Sequence, residues 1–319
     1  MEEEGIFLNQ KVLITGGGGF IGFHLINRML KLGAKVYIVE RKDAKLKKLN
    51  NVMKEIEILE VNITDLEAVN RTINLVKPDY IFHLAAYGVN SAHKEYIEAV
   101  KTNIIGIVNL LEGIKCVNCK KFINMGSCAE YGDRKEILEE ELNLKPVSVY
   151  GSTKAGATII AHQIAKENNI SIVTLRPFGI FGEGEDRHKI FCHVILSIIE
   201  NKDVRLTACY QLRDYCYIEN IIDGMLLAAR AKNIKNDIFN IASGNIYPLK
   251  YYIELIFKNM ETDKKPLYGE VKYRENEMWT PRANIKKISS KLNWEPKISV
   301  EDGLIKTIKW YKDNAYLYI

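Results

Sequence analysis

The chain has 319 residues, 47% hydrophobic and 27% charged, a balance that can bury a large core and leaves no disordered or fibrous character. Its net charge of +5 is small, and the densest basic run, Arg41 to Lys48, reads as the solvated face of a short helix, so no nucleic-acid partner is expected. No apolar run reaches a membrane span, and Met-Glu-Glu-Glu-Gly lacks a signal peptide's basic start and apolar core, so no membrane partner and a cytoplasmic location are expected.

The first element is an apolar strand, Lys11–Thr15, that runs straight into Gly16-Gly-Gly-Gly19 and then a helix, Phe20–Leu32. Gly16 permits a turn that a side chain would block, Gly19 lets backbone approach a pyrophosphate, and Gly22 lets the helix lie close on the strand. The helix N-terminus then offers unpaired N–H groups to the anion. A second strand, Lys35–Glu40, ends on an acid 24 positions after Gly16 (40 − 16). A carboxylate there can accept both ribose hydroxyls of an adenosine, which favours NAD(H), while the adjacent Arg41 and Lys42 leave NADP(H) possible.

Strands follow at Ile56–Val61, Tyr80–Leu84, Lys121–Met125 and Ser171–Leu175, separated by helical patterns at Leu66–Val76, His93–Ile114 and Val149–Lys166. Nearly all-apolar strands alternating with helices predict an α/β fold with a doubly wound parallel sheet. After Arg176 the regularity weakens. Phe178 to Gly184 is a glycine-rich break, followed by a helix at about 189–200, strands at 203–207, 215–218 and 238–241, and tail helices near 249–260 and 300–313. The division expected is a dinucleotide-binding domain of residues 1–176 plus about 208–242, and a smaller, discontinuous C-terminal α/β substrate lobe of about 177–207 plus 243–319. Six scattered cysteines read as reduced thiols. Cys116 and Cys119 stand alone, without the second pair or histidines that zinc would need, so no metal is expected.

Tyr150 and Lys154 lie four apart at a helix start and therefore face the same way. A neighbouring ammonium favours the phenolate, which would lower the phenol's pKa and make the pair a proton donor and acceptor for alcohol–ketone interconversion. The lysine can also bond a nicotinamide ribose. Ser127 falls just after the fifth predicted strand, at the same sheet edge as the glycines, where its hydroxyl could hold a substrate oxygen beside Tyr150.

These residues together resemble the extended short-chain dehydrogenase/reductase family. The likeness runs through Thr15 to Gly22, Glu40, His83-Leu-Ala-Ala86, Asn103, Ser127, Tyr131-Gly132, Tyr150-Gly-Ser-Thr-Lys154, Leu175-Arg-Pro-Phe178 and Arg213-Asp-Tyr215. It continues in the tail through Leu292-Asn-Trp-Glu-Pro296, Gly303-Leu304 and Trp310-Tyr311, so it spans almost the whole chain. The resemblance implies a Rossmann sheet, hydride chemistry on a nucleotide-sugar substrate, and a catalytic triad of Ser127, Tyr150 and Lys154. It places Gly16, Gly19, Phe20, Ile21, Gly22, Glu40, Arg41, Ala85, Ala86, Asn103, Lys154 and Pro177 on or beside the dinucleotide. Ser127, Cys128, Tyr150, Gly179, Arg213 and Arg274 fall at the substrate, the arginines matching positions that hold its diphosphate or ribose. It also implies a homodimer through a four-helix bundle built from 93–114 and 149–166.

Relatives run dehydration, epimerisation, decarboxylation or reduction, all with hydride transfer. Sugar 4,6-dehydratases carry an acid just after the catalytic Ser/Thr, where this chain has Cys128 and Ala129. Glu130 is one position late, so dehydration is disfavoured. Combined 3,5-epimerase/reductases place a cysteine one position later than Cys128 and a histidine near Gly184; His188 is the nearest candidate. The reading favoured is a 4-ketoreductase of a nucleotide-linked deoxysugar, on Gly126-Ser-Cys-Ala-Glu-Tyr-Gly132, with a 4-epimerase that retains NAD, on Glu40, as the alternative. Gly179 stands where relatives often carry an asparagine. A non-catalytic dinucleotide sensor is the remote alternative.

Overall fold

The structure is a computed structural model that describes residues 5–89, 95–275 and 277–318. Met1–Glu4, on which the reading of the N-terminus rests, and His93, the expected start of the third helix, lie outside the described residues.

The first half alternates strand and helix: β1 (Lys11–Thr15), α1 (Phe20–Lys31), β2 (Lys35–Glu40), β3 (Ile56–Glu60), α2 (Leu66–Val76), β4 (Tyr80–His83), α3 (Tyr96–Val100), α4 (Gly106–Ile114), β5 (Lys121–Met125), α5 (Val149–Glu167) and β6 (Ile172–Pro177). A π-helical turn, Lys101–Ile105, joins α3 to α4, so the single helix expected there carries an inserted register shift. The second half holds β7 (Gly179–Phe181), α6 (Ile190–Ile199), β8 (Arg205–Leu206), β9 (Leu212–Arg213), β10 (Tyr215–Tyr217), α7 (Ile218–Arg230) and β11 (Asn236–Ile241). It closes with β12 (Tyr247–Pro248), α8 (Leu249–Met260), β13 (Leu267–Tyr268), α9 (Lys286–Leu292) and α10 (Val300–Asn314).

Seven strands form one sheet in the order β11-β6-β5-β4-β1-β2-β3, and every pairing is parallel. Successive side chains alternate between its faces. Leu13, Ile81, Phe122 and Ile172 pack against α2, α4 and α5, through Val69, Ile107 and Ala161. Val12, Ile14, Phe82, Ile123 and Val173 face α1 and α7, through Leu25, Met29, Ile221 and Met225. Coverage on both faces explains the near-continuous apolar strands. The second cluster runs on into Phe191, Tyr252, Leu304 and Tyr311 of α6, α8 and α10, so the C-terminal helices share a core with the α1 side of the sheet.

The strand expected at 215–218 is β10, Tyr215–Tyr217, but the sequence reading missed α7, which follows it directly. The buried residues Ile218, Ile221, Ile222, Met225, Leu226 and Ala229 nevertheless keep helical spacing. Gly224 interrupts the pattern because a Cβ there would lie 2.3 Å from Ile241 Cδ1, where α7 crosses the sheet. The short α9 was also missed, and the 203–207 strand shrinks to Arg205–Leu206.

β1 feeds β2 and β3 on one side, and the chain then returns to β4 on the other. This reversal opens a crevice at the carboxyl ends of β1 and β4.

Candidate functional site

The glycine turn after β1 is built to leave backbone bare. Gly16 has φ +73°, and a Cβ on it would lie 2.8 Å from the Ala85 nitrogen. A Cβ on Gly22 would lie 2.5 Å from the Gly17 oxygen and 2.6 Å from the Gly16 oxygen. Gly19 is the N-cap of α1 and has no side chain to cap it. The first helical bond runs from Phe23 N–H to Gly19 O at 3.0 Å, so the amides of Phe20, Ile21 and Gly22 precede the intrahelical ladder. These are the donors a pyrophosphate takes.

Glu40 ends β2 beside this turn. Its Oε1 accepts the Gly18 N–H at 2.7 Å, so that oxygen ties the turn down and Oε2 is the acceptor left for a ribose. Burial raises its pKa and the Gly18 hydrogen bond opposes that. Arg41 is exposed, 3.7 Å from Asp43. On the other flank, Thr15 Oγ1 lies 2.7 Å from His83 Nδ1 and accepts the Ala85 N–H at 3.3 Å, which fixes Ala85 and the half-buried Ala86 over the crevice. Pro177 ends β6 and is buried. Among the described residues the bare turn, the helix end and the strand-end carboxylate fit a dinucleotide.

Asn103 sits in the π turn with its amide spent on protein. Its Oδ1 accepts the Tyr87 N–H at 2.8 Å, and its Nδ2 donates to Tyr87 O and Thr153 Oγ1, both at 2.9 Å. It therefore pins the loop after β4 to α5. Gly88 on that loop, φ +91°, lies over the Tyr150 ring.

Ser127, Tyr150 and Lys154 converge from two elements. Ser127 leaves β5 and caps a 3₁₀ turn, Cys128–Glu130, its Oγ accepting the Ala129 N–H at 3.1 Å. Ser148 caps α5 by accepting the Gly151 N–H at 3.1 Å. Gly151 lets the helix start touch that turn, because a Cβ would lie 2.4 Å from the Ala129 oxygen. Tyr150 is thereby brought within hydrogen-bonding reach of Ser127. The expected lowering of the Tyr150 pKa is not found. Burial raises it, with the Ser127 hydrogen bond as the main opposing effect. Lys154 is itself pushed down, to about 8, by burial, with Glu130 as the opposing charge. In this cleft burial is the largest influence on both groups. Lys154 has no hydrogen-bond or ion-pair partner among the described residues, and it is 3% exposed.

Glu130 is a residue whose role the sequence reading missed. It is fully buried, and its Oε2 accepts from Arg176 Nε at 2.8 Å. Its Oε1 accepts the Ser127 N–H at 2.8 Å and the Thr158 hydroxyl at 3.2 Å. The signal was legible as Ser-x-x-Glu, a capping box. Cys128 beside it is a neutral thiol, its pKa pushed up to about 12 by burial.

The far wall is less simple than expected. Arg213 is held by Glu277, and its Nη1 donates to the carbonyls of Leu212 and Met278, each at 2.6 Å. Its guanidinium is thus engaged with the 277–278 segment, a link the sequence reading did not foresee. Arg274 is exposed, within electrostatic range of Tyr215. Gly179 is packed out: a Cβ would meet the Tyr215 ring at 2.6 Å and the Asp214 oxygen at 2.8 Å. Asp214, buried and accepting from Ser243 and Gly244, orients this strand. No group of three or more acids, histidines or cysteines able to hold a metal occurs among the described residues. Cys119 is a half-buried free thiol with its pKa pushed up to about 12 by desolvation, and Cys116 is an exposed free thiol. No helix among the described residues is long and apolar enough to cross a membrane.

Comparison with known proteins agrees with this geometry. A UDP-glucuronate 4-epimerase of Thermodesulfobacterium geofontis is 29% identical, covering 96% of this chain and 97% of its own length. The crystal structure of a Thermotoga maritima UDP-glucose 4-epimerase with UDP-glucose superposes with a TM-score of 0.89 at 28% identity, covering 96% of this chain and 99% of that one. A Bacillus cereus UDP-glucuronic acid 4-epimerase, solved with a fluorinated UDP-glucuronic acid and NAD, gives a TM-score of 0.87 at 26% identity over 95% of this chain and 99% of its own. Residues 12–242 match the model of the NAD dependent epimerase/dehydratase family. With the glycine turn, Glu40 and the Ser127–Tyr150–Lys154 group on one crevice, the chain belongs to that family of NAD-dependent, nucleotide-sugar-modifying enzymes.

Proposed function

We propose that the protein is a nucleotide-sugar 4-epimerase that keeps its NAD through the catalytic cycle. The observation that carries this reading is the arrangement of acids. Cys128 and Ala129 stand where a dehydratase needs an acid, and Glu130, the one carboxylate nearby in sequence, is turned away into an ion pair with Arg176. Expelling water from the sugar therefore lacks its acid. Likeness to 4-epimerases over the substrate-side segments as well as the sheet supports the same reading.

Bound NAD supplies the hydride acceptor and donor. The chain's part is to move one proton and to hold the sugar. In its tyrosinate form Tyr150 takes the proton from the C4 hydroxyl and, as the phenol so formed, later returns it to the C4 carbonyl oxygen. Ser127 donates a hydrogen bond to that oxygen. Lys154, when protonated, favours the tyrosinate and holds a ribose hydroxyl. Arg213 and Arg274 serve the substrate diphosphate, with Arg213 positioned by Glu277.

A 4-ketoreductase drawing on external NAD(H) or NADP(H) is the second reading. The Gly126–Gly132 segment favours it. One experiment separates the two. The nucleotide that co-purifies is released and identified by mass, and UDP-hexoses are incubated without added cofactor. Retained NAD with C4 interconversion supports the epimerase. An empty protein that oxidises NADH or NADPH only with a 4-keto sugar makes it the reductase.

The same reading includes a homodimer. Tyr96, Ile97, Val100 and Ile105 on one helical segment, and Val149 and Ile159 on α5, are exposed, with Ile97 at 66% and Ile159 at 60%. Apolar side chains at such exposure on two packed helices fit a four-helix bundle with a second copy.

A further inference from the structure

Glu130 and Arg176 sit beneath the catalytic turn, and the proton transfer described above gives neither a part. Both are buried, at 0% and 2% exposure. A buried ion pair is weak evidence for stability, since apolar residues of similar volume serve as well. This one is wired to the site. Glu130 Oε1 takes the Ser127 N–H at 2.8 Å and the Thr158 hydroxyl, on the helix that carries Tyr150 and Lys154. Arg176 Nη1 donates to the Tyr131 hydroxyl at 3.0 Å, and Tyr131 donates to Asn240 Oδ1 at 2.7 Å, on the edge strand β11. Both oxygens of Glu130 are thus engaged by protein, and the side chain is fully buried, so the carboxylate does not reach a substrate. A Cβ on Gly126 would lie 2.6 Å from Glu130 Oε1, so the backbone before Ser127 is held against the carboxylate as well.

The charged surroundings of Lys154 narrow the role. From β4 it faces His83, which burial keeps neutral with a pKa lowered to about 3. One turn earlier on its own helix stands Tyr150, whose pKa burial raises. The π turn presents Asn103, uncharged, to the neighbouring Thr153. Arg176 lies behind Glu130 on β6. Glu130 is therefore the anion acting on Lys154.

We propose that Glu130, held by Arg176, is a positioning residue of this active site: it fixes the Ser127 backbone and presents to Lys154 the negative charge that keeps the ammonium protonated. The inference rests on the functional reading only for what the three residues then do. The charge itself can be tested without any sugar.

Protein carrying ¹³C-labelled lysine is titrated by NMR, with the Lys154 signal assigned by its loss in Lys154→Arg. In Glu130→Gln, which keeps an acceptor for the Ser127 N–H but removes the charge, the Lys154 midpoint is expected to fall by about one pH unit. Glu130→Gln/Arg176→Met, which leaves no unpaired buried charge, provides a folded background if the single variant unfolds, and the same fall is expected. An unchanged midpoint in either folded variant overturns the proposal. Wild-type protein gives an independent check. The Ser127 amide is expected to be strongly protected from hydrogen exchange, and rapid exchange there also overturns it. A shifted midpoint in a protein inactive on every UDP-hexose would instead count against the epimerase reading and leave this inference standing.

Discussion

Replacing Gly22 with alanine tests the cradle directly. The new Cβ would lie 2.5 Å from the Gly17 oxygen and 2.6 Å from the Gly16 oxygen, and both are backbone atoms that no rotamer can move. Reaching even a tight 3.0 Å requires about half an ångström of separation between α1 and the turn after β1 (3.0 − 2.5). Overpacking of this kind costs about 1–3 kcal/mol. Alanine returns up to about 1 kcal/mol through helix propensity, less in a first turn, so the clash wins. The same displacement moves the Phe20 and Ile21 amides away from the pyrophosphate. If the full strain falls on the bound state, NAD affinity drops by about 5- to 150-fold. The assay is fluorescence titration with NADH, beside a thermal melt. Gly156→Ala on α5 is the control, because its Cβ meets only Ile104 Cδ1 at 3.4 Å. It is expected to leave affinity unchanged and to gain a little stability. Wild-type NADH affinity in Gly22→Ala would refute the close-approach argument for this turn.

Three further outcomes are expected. Tyr150→Phe should lower kcat by about 10²-fold or more while NADH still binds with near-normal affinity, since only the proton donor is lost; near-normal turnover would remove Tyr150 from its role. Lys154 should make catalysis fall as pH rises through about 8, where the buried ammonium loses its proton. Because its folded pKa lies below the unfolded value, the folded state binds fewer protons between about 8 and 10.5, so this group's contribution to stability rises with pH across that window. A pH–rate profile flat to pH 10 would contradict that assignment. Sedimentation should give a dimer mass for wild type and a monomer mass for Ile97→Glu/Ile159→Glu; a wild-type monomer would refute the bundle.

Much of the dinucleotide half was legible in the chain. The strand–glycine–helix order after Lys11 is local, because each glycine answers a constraint set by neighbours a few residues away. The same holds for the apolar strands, whose composition reflects burial on both faces, and for Tyr150 and Lys154, whose spacing puts them on one helix face. Tertiary structure decided what those groups then are. Burial raised the Tyr150 pKa where a lowered one was expected and depressed that of the lysine with it, because desolvation depends on every element packed around the cleft. It engaged Arg213 with Glu277, 64 residues away, and it turned Glu130 from a nearly placed catalytic acid into the buried partner of Arg176. Local pattern names the residues that can do chemistry, while their charge and direction are set by long-range packing that no short window of sequence contains.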